Sequence, residues 1–177
     1  MQFDTLREVV QEDEWGCGVA CVASILAVSY AKARQLLVKH KKSKIDEDPE
    51  GLLLHHIALA LRDEGFHVVA DWDEPKSCKP GTIVLVGKAR GGVEFEHYIV
   101  SVGGGWFMDP WINHPNEDCQ AGLRKGFPKG KIFYVALVPK PGSQRSTRRR
   151  VGGGNTLRGR RCDDVIHWQV KYPRLVR

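Results

Sequence analysis

Helical patterning fills the first third of this chain and short β-branched runs bounded by Gly and Pro follow it, which predicts an α+β domain with N-terminal helices packed on an antiparallel sheet. Three observations carry that expectation: a small, apolar run at residues 17–28 (CGVACVASILAV), apolar positions at helical spacing in 31–40, and unbroken strand-like runs at 82–86 and 95–102.

Within residues 17–28 only Gly18 works against a helix. Ala33, Leu36 and Leu37 share one face of a second helix, and the lysines and acids of 39–48 read as a solvated loop. Pro49 suits the first turn of a third helix over 50–64, which Gly65 ends. Residues 66–70 form a short strand, Pro80-Gly81 a turn, and 82–86 a buried strand. Gly103-Gly104-Gly105 joins 95–102 to 106–109 as a hairpin, and 131–138 supplies the last core strand. From Pro139 to about Arg161 the composition is that of a linker, and 165–172 alternates enough for one more strand.

The 177 residues, 42% hydrophobic, suffice for one domain with a real core. The organisation expected is a catalytic domain over 1–140 and a basic, Gly/Arg-rich extension over 141–177. That extension holds ten of the 27 Lys+Arg and two of the 21 Asp+Glu, so the overall charge of +6 belongs to it. No apolar run approaches the ~18 residues of a membrane helix, and the first residues lack a secretory pattern. Five irregularly placed cysteines read as reduced thiols, consistent with a cytoplasmic location.

Cys17 follows Trp15-Gly16 and opens a helix, where the backbone dipole favours negative charge. Gly18 beside it leaves room for a substrate carbonyl. Cys21, one turn on, is better placed for the core. His97 interrupts a strand that otherwise wants β-branched and aromatic residues. Asp109, twelve residues on across the glycine turn, can return beside it to orient the imidazole. Gln11, six residues before Cys17, offers an amide N–H which, with the Cys17 backbone N–H, would hold an oxyanion.

Gln11-Glu12-Asp13-Glu14-Trp15-Gly16-Cys17-Gly18 resembles the Gln-x5-Cys-Gly start of the C39-like, bacteriocin-processing cysteine peptidases. His97-Tyr98-Ile99-Val100, Asp109-Pro110 and Gly51-Leu52 resemble further segments of that family, and the likeness spans about residues 8–138. The resemblance implies a papain-like cysteine peptidase fold, a Cys17–His97–Asp109 triad with Gln11 in the oxyanion hole, and a peptide or protein substrate cleaved near Gly-Gly. The chain departs from the family in having Gly16 where Asp is frequent, and no transporter segment follows.

Two other readings keep the fold: a toxin or effector acting on a host protein or RNA, and an inactive binding module. The arginines Arg148, Arg149, Arg150, Arg158, Arg160 and Arg161 suit nonspecific polyanion contact, with no recognition helix beside them. Gly152-Gly153-Gly154 offers a double-glycine site within the chain itself. His55 and His56 read as packed residues of a helix, and Trp106 and Trp111 as core, with Trp111 a candidate cleft residue. No second ligand pair of zinc-like spacing accompanies Cys17 and Cys21, so neither metal nor cofactor is expected.

Overall fold

Helix α1 (Cys17–Leu26) is buried at nine consecutive positions, from Cys17 through Ile25. Its side chains are small and apolar all round, so neighbours can close on every face. A computed structural model describes residues 6–13, 15–41, 52–71, 78–90, 93–114, 116–128 and 131–141; side chains are described for these except 70–71, 88–90, 93–95 and 131–141. The described residues all belong to the first of two units, Met1–Gln144 and Arg145–Arg177. The expectations for the lysine-rich loop beyond Lys41, for Pro49 to Gly51, and for the whole arginine- and glycine-rich extension with its Cys162 and terminal strand lie outside the described residues.

The first helix stops two residues short of the expected end. Ala27 turns left-handed (φ 54°), its N–H returns to the Ala23 and Ser24 carbonyls, and Val28 N–H also reaches Ala23 at 3.1 Å. Helix α2 (Tyr30–Lys41) follows at once. Helix α3 (Leu54–Asp63) starts later than residue 50: Leu53 is extended, and its N–H donates to His56 Nδ1 at 3.2 Å. That bond explains one of the two helix histidines, since it satisfies a backbone donor at the helix start. His40 and Asp63, 3.0 Å apart, tie α2 to α3.

Among the described residues six strands follow: β1 (Phe66–Asp71), β2 (Ile83–Arg90), β3 (Val93–Gly103), β4 (Trp106–Asp109), β5 (Gly122–Lys125) and β6 (Lys131–Pro141). They form one sheet in the order β1-β6-β2-β3-β4-β5, and every neighbouring pair is antiparallel. The architecture is therefore α+β, with N-terminal helices on an antiparallel sheet. Two details correct the sequence expectation. β6 continues through Pro139, which pairs with Val68, so residues 139–141 are sheet and not linker. β5 was not expected at all, because Gly-Leu-Arg-Lys carries one apolar residue and forms only as an edge on β4.

Alternation sorts the central strands into two faces. Ile83, Leu85, Tyr98, Val100 and Met108 join the helices in the main core. Val84, Val86, Ile99 and Phe107 form a smaller cluster on the other side, with Phe127 against Phe107 at 4.9 Å between ring centroids. Trp106, expected in the core, is 43% exposed because it opens β4 beside the glycine turn.

Gly18 has a different purpose from the one the sequence suggests. A Cβ there would stand 3.1 Å from Ile57 Cδ1 and 3.2 Å from both Leu52 Cδ1 and Tyr98 Cδ2. Its bare side is filled by core side chains, not kept open for a substrate carbonyl. Gly18→Val should therefore overpack this junction of α1, α3 and β3 and cost about 1–3 kcal/mol, read from the midpoint of urea denaturation.

Candidate active site

Register sets the site. Val100 pairs with Met108, which places Asp109 across from Ile99 and on the same face as His97 two residues along β3. The His97 Nε2 to Asp109 Oδ1 distance is 2.7 Å, with both residues buried. Engagement of Nε2 leaves Nδ1 for Cys17, and the His97 ring is hydrogen-bonded to that thiol as well.

Pro110 explains how Cys17 gets there. Continuing the ladder would set Tyr98 opposite Pro110, which has no N–H to return to the Tyr98 carbonyl. β4 ends, and the two strands find other partners. Ser101 N–H donates to the carbonyl of Thr82, just before β2, so alternation points the Tyr98 N–H toward the vacated side, where it reaches Cys17 Sγ at 3.5 Å. The Pro110 carbonyl instead accepts the Gln11 N–H at 3.4 Å.

Cys17 is the first residue of α1. Its N-cap is Gly16, with no side-chain cap bond and no acidic residue in the first turn. The helix end keeps unsatisfied backbone N–H groups beside the sulfur, and the Asp13 carboxylate lies close to Gly16. Cys21, on the next turn, is fully buried, and burial followed by the nearby Cys17 and Asp109 charges pushes its thiol well up. It packs, as expected for a structural cysteine.

Gln11 is 2% exposed, and its Nε2 donates to the Asp13 carbonyl at 3.1 Å. The same carbonyl accepts the Gly16 N–H at 3.1 Å, linking Gln11 to the turn just before Cys17. The Asp13 carboxylate receives the Tyr30 hydroxyl at 2.6 Å and faces Arg34 at 3.9 Å. Burial and that hydrogen bond raise the Tyr30 hydroxyl far above its usual range. A cavity of about 470 Å³ opens beside Gln11, lined also by Val10, Trp111, Glu117 and Cys119. Trp111 thus belongs to a cleft wall rather than the core, with its indole N–H held by Asn116 at 2.9 Å. Loop 110–121 is stapled by Asn113, whose side chain donates to the Asp118 carbonyl and accepts from Gln120 N–H.

Sequence reading missed Arg124. Its Nη1 lies 3.0 Å from Asp109 Oδ2, while Oδ1 accepts both His97 and the Trp111 N–H at 3.0 Å. Burial alone would raise the Asp109 carboxyl; His97, the Trp111 amide and Arg124 together bring it below the ordinary value. Burial likewise acts to lower His97, but its bonds to Asp109 and Cys17 and their charges carry it up to about 9. No one residue type signalled Arg124, since it sits on the strand that the sequence hid.

The site thus places an imidazole between a helix-terminal thiol and a buried carboxylate on an α+β frame. No protein-family model matches the chain, and no curated protein matches it. Among solved structures it is similar to the peptidase domain of Streptococcus ComA, a bifunctional ABC transporter involved in a quorum-sensing pathway: 15% identity over 77% of this chain and 98% of that one, TM-score 0.49. A double glycine motif protease from an AMS/PCAT transporter, solved with its leader peptide, shares 19% identity over 77% of this chain and 94% of its own, TM-score 0.48. The peptidase domain of Streptococcus mutans ComA shares 14% over 76% and 100%, TM-score 0.45.

The sign of the His97 shift gives a pH test. A folded-state value near 9 against an ordinary 6.5 stabilises the fold fully below pH 6.5, and that contribution disappears as pH rises through 9. Asp109→Asn removes the carboxylate's bond and charge and leaves only Cys17 to oppose burial, so ¹³C-histidine NMR should show His97 titrating above pH 8 in the unsubstituted chain and clearly lower in the variant.

Proposed function

We propose that this chain is a cysteine peptidase or amide hydrolase of the C39-like type, with Cys17 as nucleophile, His97 as acid and base, Asp109 as the group that orients His97, and Gln11 as an oxyanion donor. The observation that carries the reading is the buried His97 ring bonded on one side to Asp109 at 2.7 Å and on the other to Cys17. An imidazole that keeps its proton at neutral pH is the counter-ion a thiolate needs.

In the mechanism, His97 Nδ1 takes the Cys17 proton and the thiolate attacks the acyl carbon of a peptide amide, forming a C–S bond. The carbonyl oxygen becomes an oxyanion held by the Cys17 N–H and by the Gln11 side-chain amide. His97 returns its proton to the departing amine as the C–N bond breaks. A water then gives its proton to His97 and attacks the thioester, releasing the acid and the free thiol. Throughout, Asp109 stays ionised and keeps the ring in register. The cleft between Gln11 and Trp111 adjoins the oxyanion donor and is where a peptide would lie.

Cys17→Ala should abolish hydrolysis while circular dichroism and thermal midpoint stay near those of the parent; retention of full turnover would remove Cys17 from the chemistry. Gln11→Ala should lower kcat about 10²–10³-fold. Iodoacetamide labelling of Cys17, which forms no oxyanion, should stay within about threefold in that variant. A matching loss of labelling would mean that Gln11 supports the fold of the site instead.

A further inference from the structure

We propose that Arg124 is a positioning residue for this cluster: its guanidinium holds the Asp109 carboxylate charged and aimed at His97. The inference rests on the hydrolase reading above and extends it to a residue on a different strand.

The geometry is built into the β4–β5 ladder. Phe107 pairs with Arg124 and Asp109 with Gly122, so Arg124 stands diagonal to Asp109 on the same face. Gly122, directly opposite the carboxylate, has no side chain, and Ile112 fills its place: a Cβ there would be 3.2 Å from two Ile112 carbons. An apolar side chain thus occupies the position opposite Asp109, where a polar one would compete for it. Asp109 is 1% exposed, and Oδ1 is already used by His97 and the Trp111 N–H. Oδ2 faces Arg124 Nη1 at 3.0 Å as a charge-to-charge contact. The Arg124 side chain as a whole is 21% exposed, while the Nη1 that faces Asp109 is buried.

The balance of charge supplies the reason. When the thiolate forms, Cys17 on α1 and Asp109 on β4 are negative while His97 on β3 and Arg124 on β5 are positive. Alternating signs sum to zero in a buried cluster. Of the other titratable groups near it, Cys21 is held neutral by burial, and Tyr30 by burial and its bond to Asp13. Without Arg124 the cluster would carry a net negative charge out of water, which disfavours both the carboxylate and the thiolate.

The test is the pH dependence of iodoacetamide labelling at Cys17, followed by peptide mass spectrometry so that Cys78 and Cys119 do not contribute. Arg124→Met should move the acid limb up by about one pH unit, at the low end of the range for a neighbouring opposite charge. Labelling would be about tenfold slower on that limb and within about threefold on the plateau. Arg124→Lys, which keeps the charge, should leave the limb near that of the parent. A purely structural arginine would lower the melting temperature without moving the limb, and that result overturns the proposal. The cycle with Asp109→Asn covers loss of fold in the single variant: in that background Arg124→Met should no longer alter the profile, and an undiminished effect would place the role of Arg124 elsewhere. If Cys17 in the unsubstituted chain labels no faster than a free thiol, the hydrolase reading and this inference fail together; fast labelling with an unmoved limb sinks the role of Arg124 alone.

Discussion

The buried contact between His97 and Asp109 is the constraint around which the rest of this molecule is arranged. A carboxylate taken out of water is stable only when its oxygens are occupied, and an imidazole as buried as this one would ordinarily lose its proton. Each solves the problem of the other. The price is geometric: β3 and β4 must hold one register, since a slip of one residue would turn His97 or Asp109 to the opposite face. The glycine turn at residues 103–105 and the buried Met108 fix that register. Pro110 then ends the pairing at the one place where the helix-terminal sulfur has to enter.

Local chemistry and tertiary placement are separable here. Gly16 and Gly18 are both required around Cys17, for different reasons. Gly18 admits Ile57, Leu52 and Tyr98 into the space a side chain would take, and a Cβ on Gly16 would overlap the Tyr30 hydroxyl that bonds Asp13. The motif around the cysteine therefore records how tightly α1 is enclosed as much as what its sulfur does. Tyr98 shows the same economy: its backbone N–H serves Cys17, its ring packs on Gly18, and its hydroxyl bonds the Leu52 carbonyl at 2.8 Å.

Much of this was legible in the sequence, where a residue announced its own conformation. The small-apolar run gave α1, the β-branched runs gave β2 and β3, and three glycines in a row gave the hairpin that returns Asp109 toward His97. What stayed hidden depends on partners distant in the chain. β5 is too short and too polar to be a strand until β4 offers it an edge, and Arg124 remained out of view with it. α3 starts at Leu54, where the His56 ring accepts the N–H of Leu53, a contact the sequence alone does not announce. The reach of β6 through two prolines depends on β1, whose Phe66 pairs with Pro141. Proline in a strand reads as an interruption unless the neighbouring strand is known.

The position of β6 between β1 and β2 has a consequence for how the molecule assembles. The strand made last among the described six lies inside the sheet, where both of its edges are covered. During synthesis, β2 must therefore wait with an unpaired edge while the His97 strand is already attached to its other side. Such non-local closure slows folding and leaves an open edge available for aggregation in the interval. It also means that β2, the neighbour of the strand bearing His97, gains its second partner only once residues 131–141 have emerged.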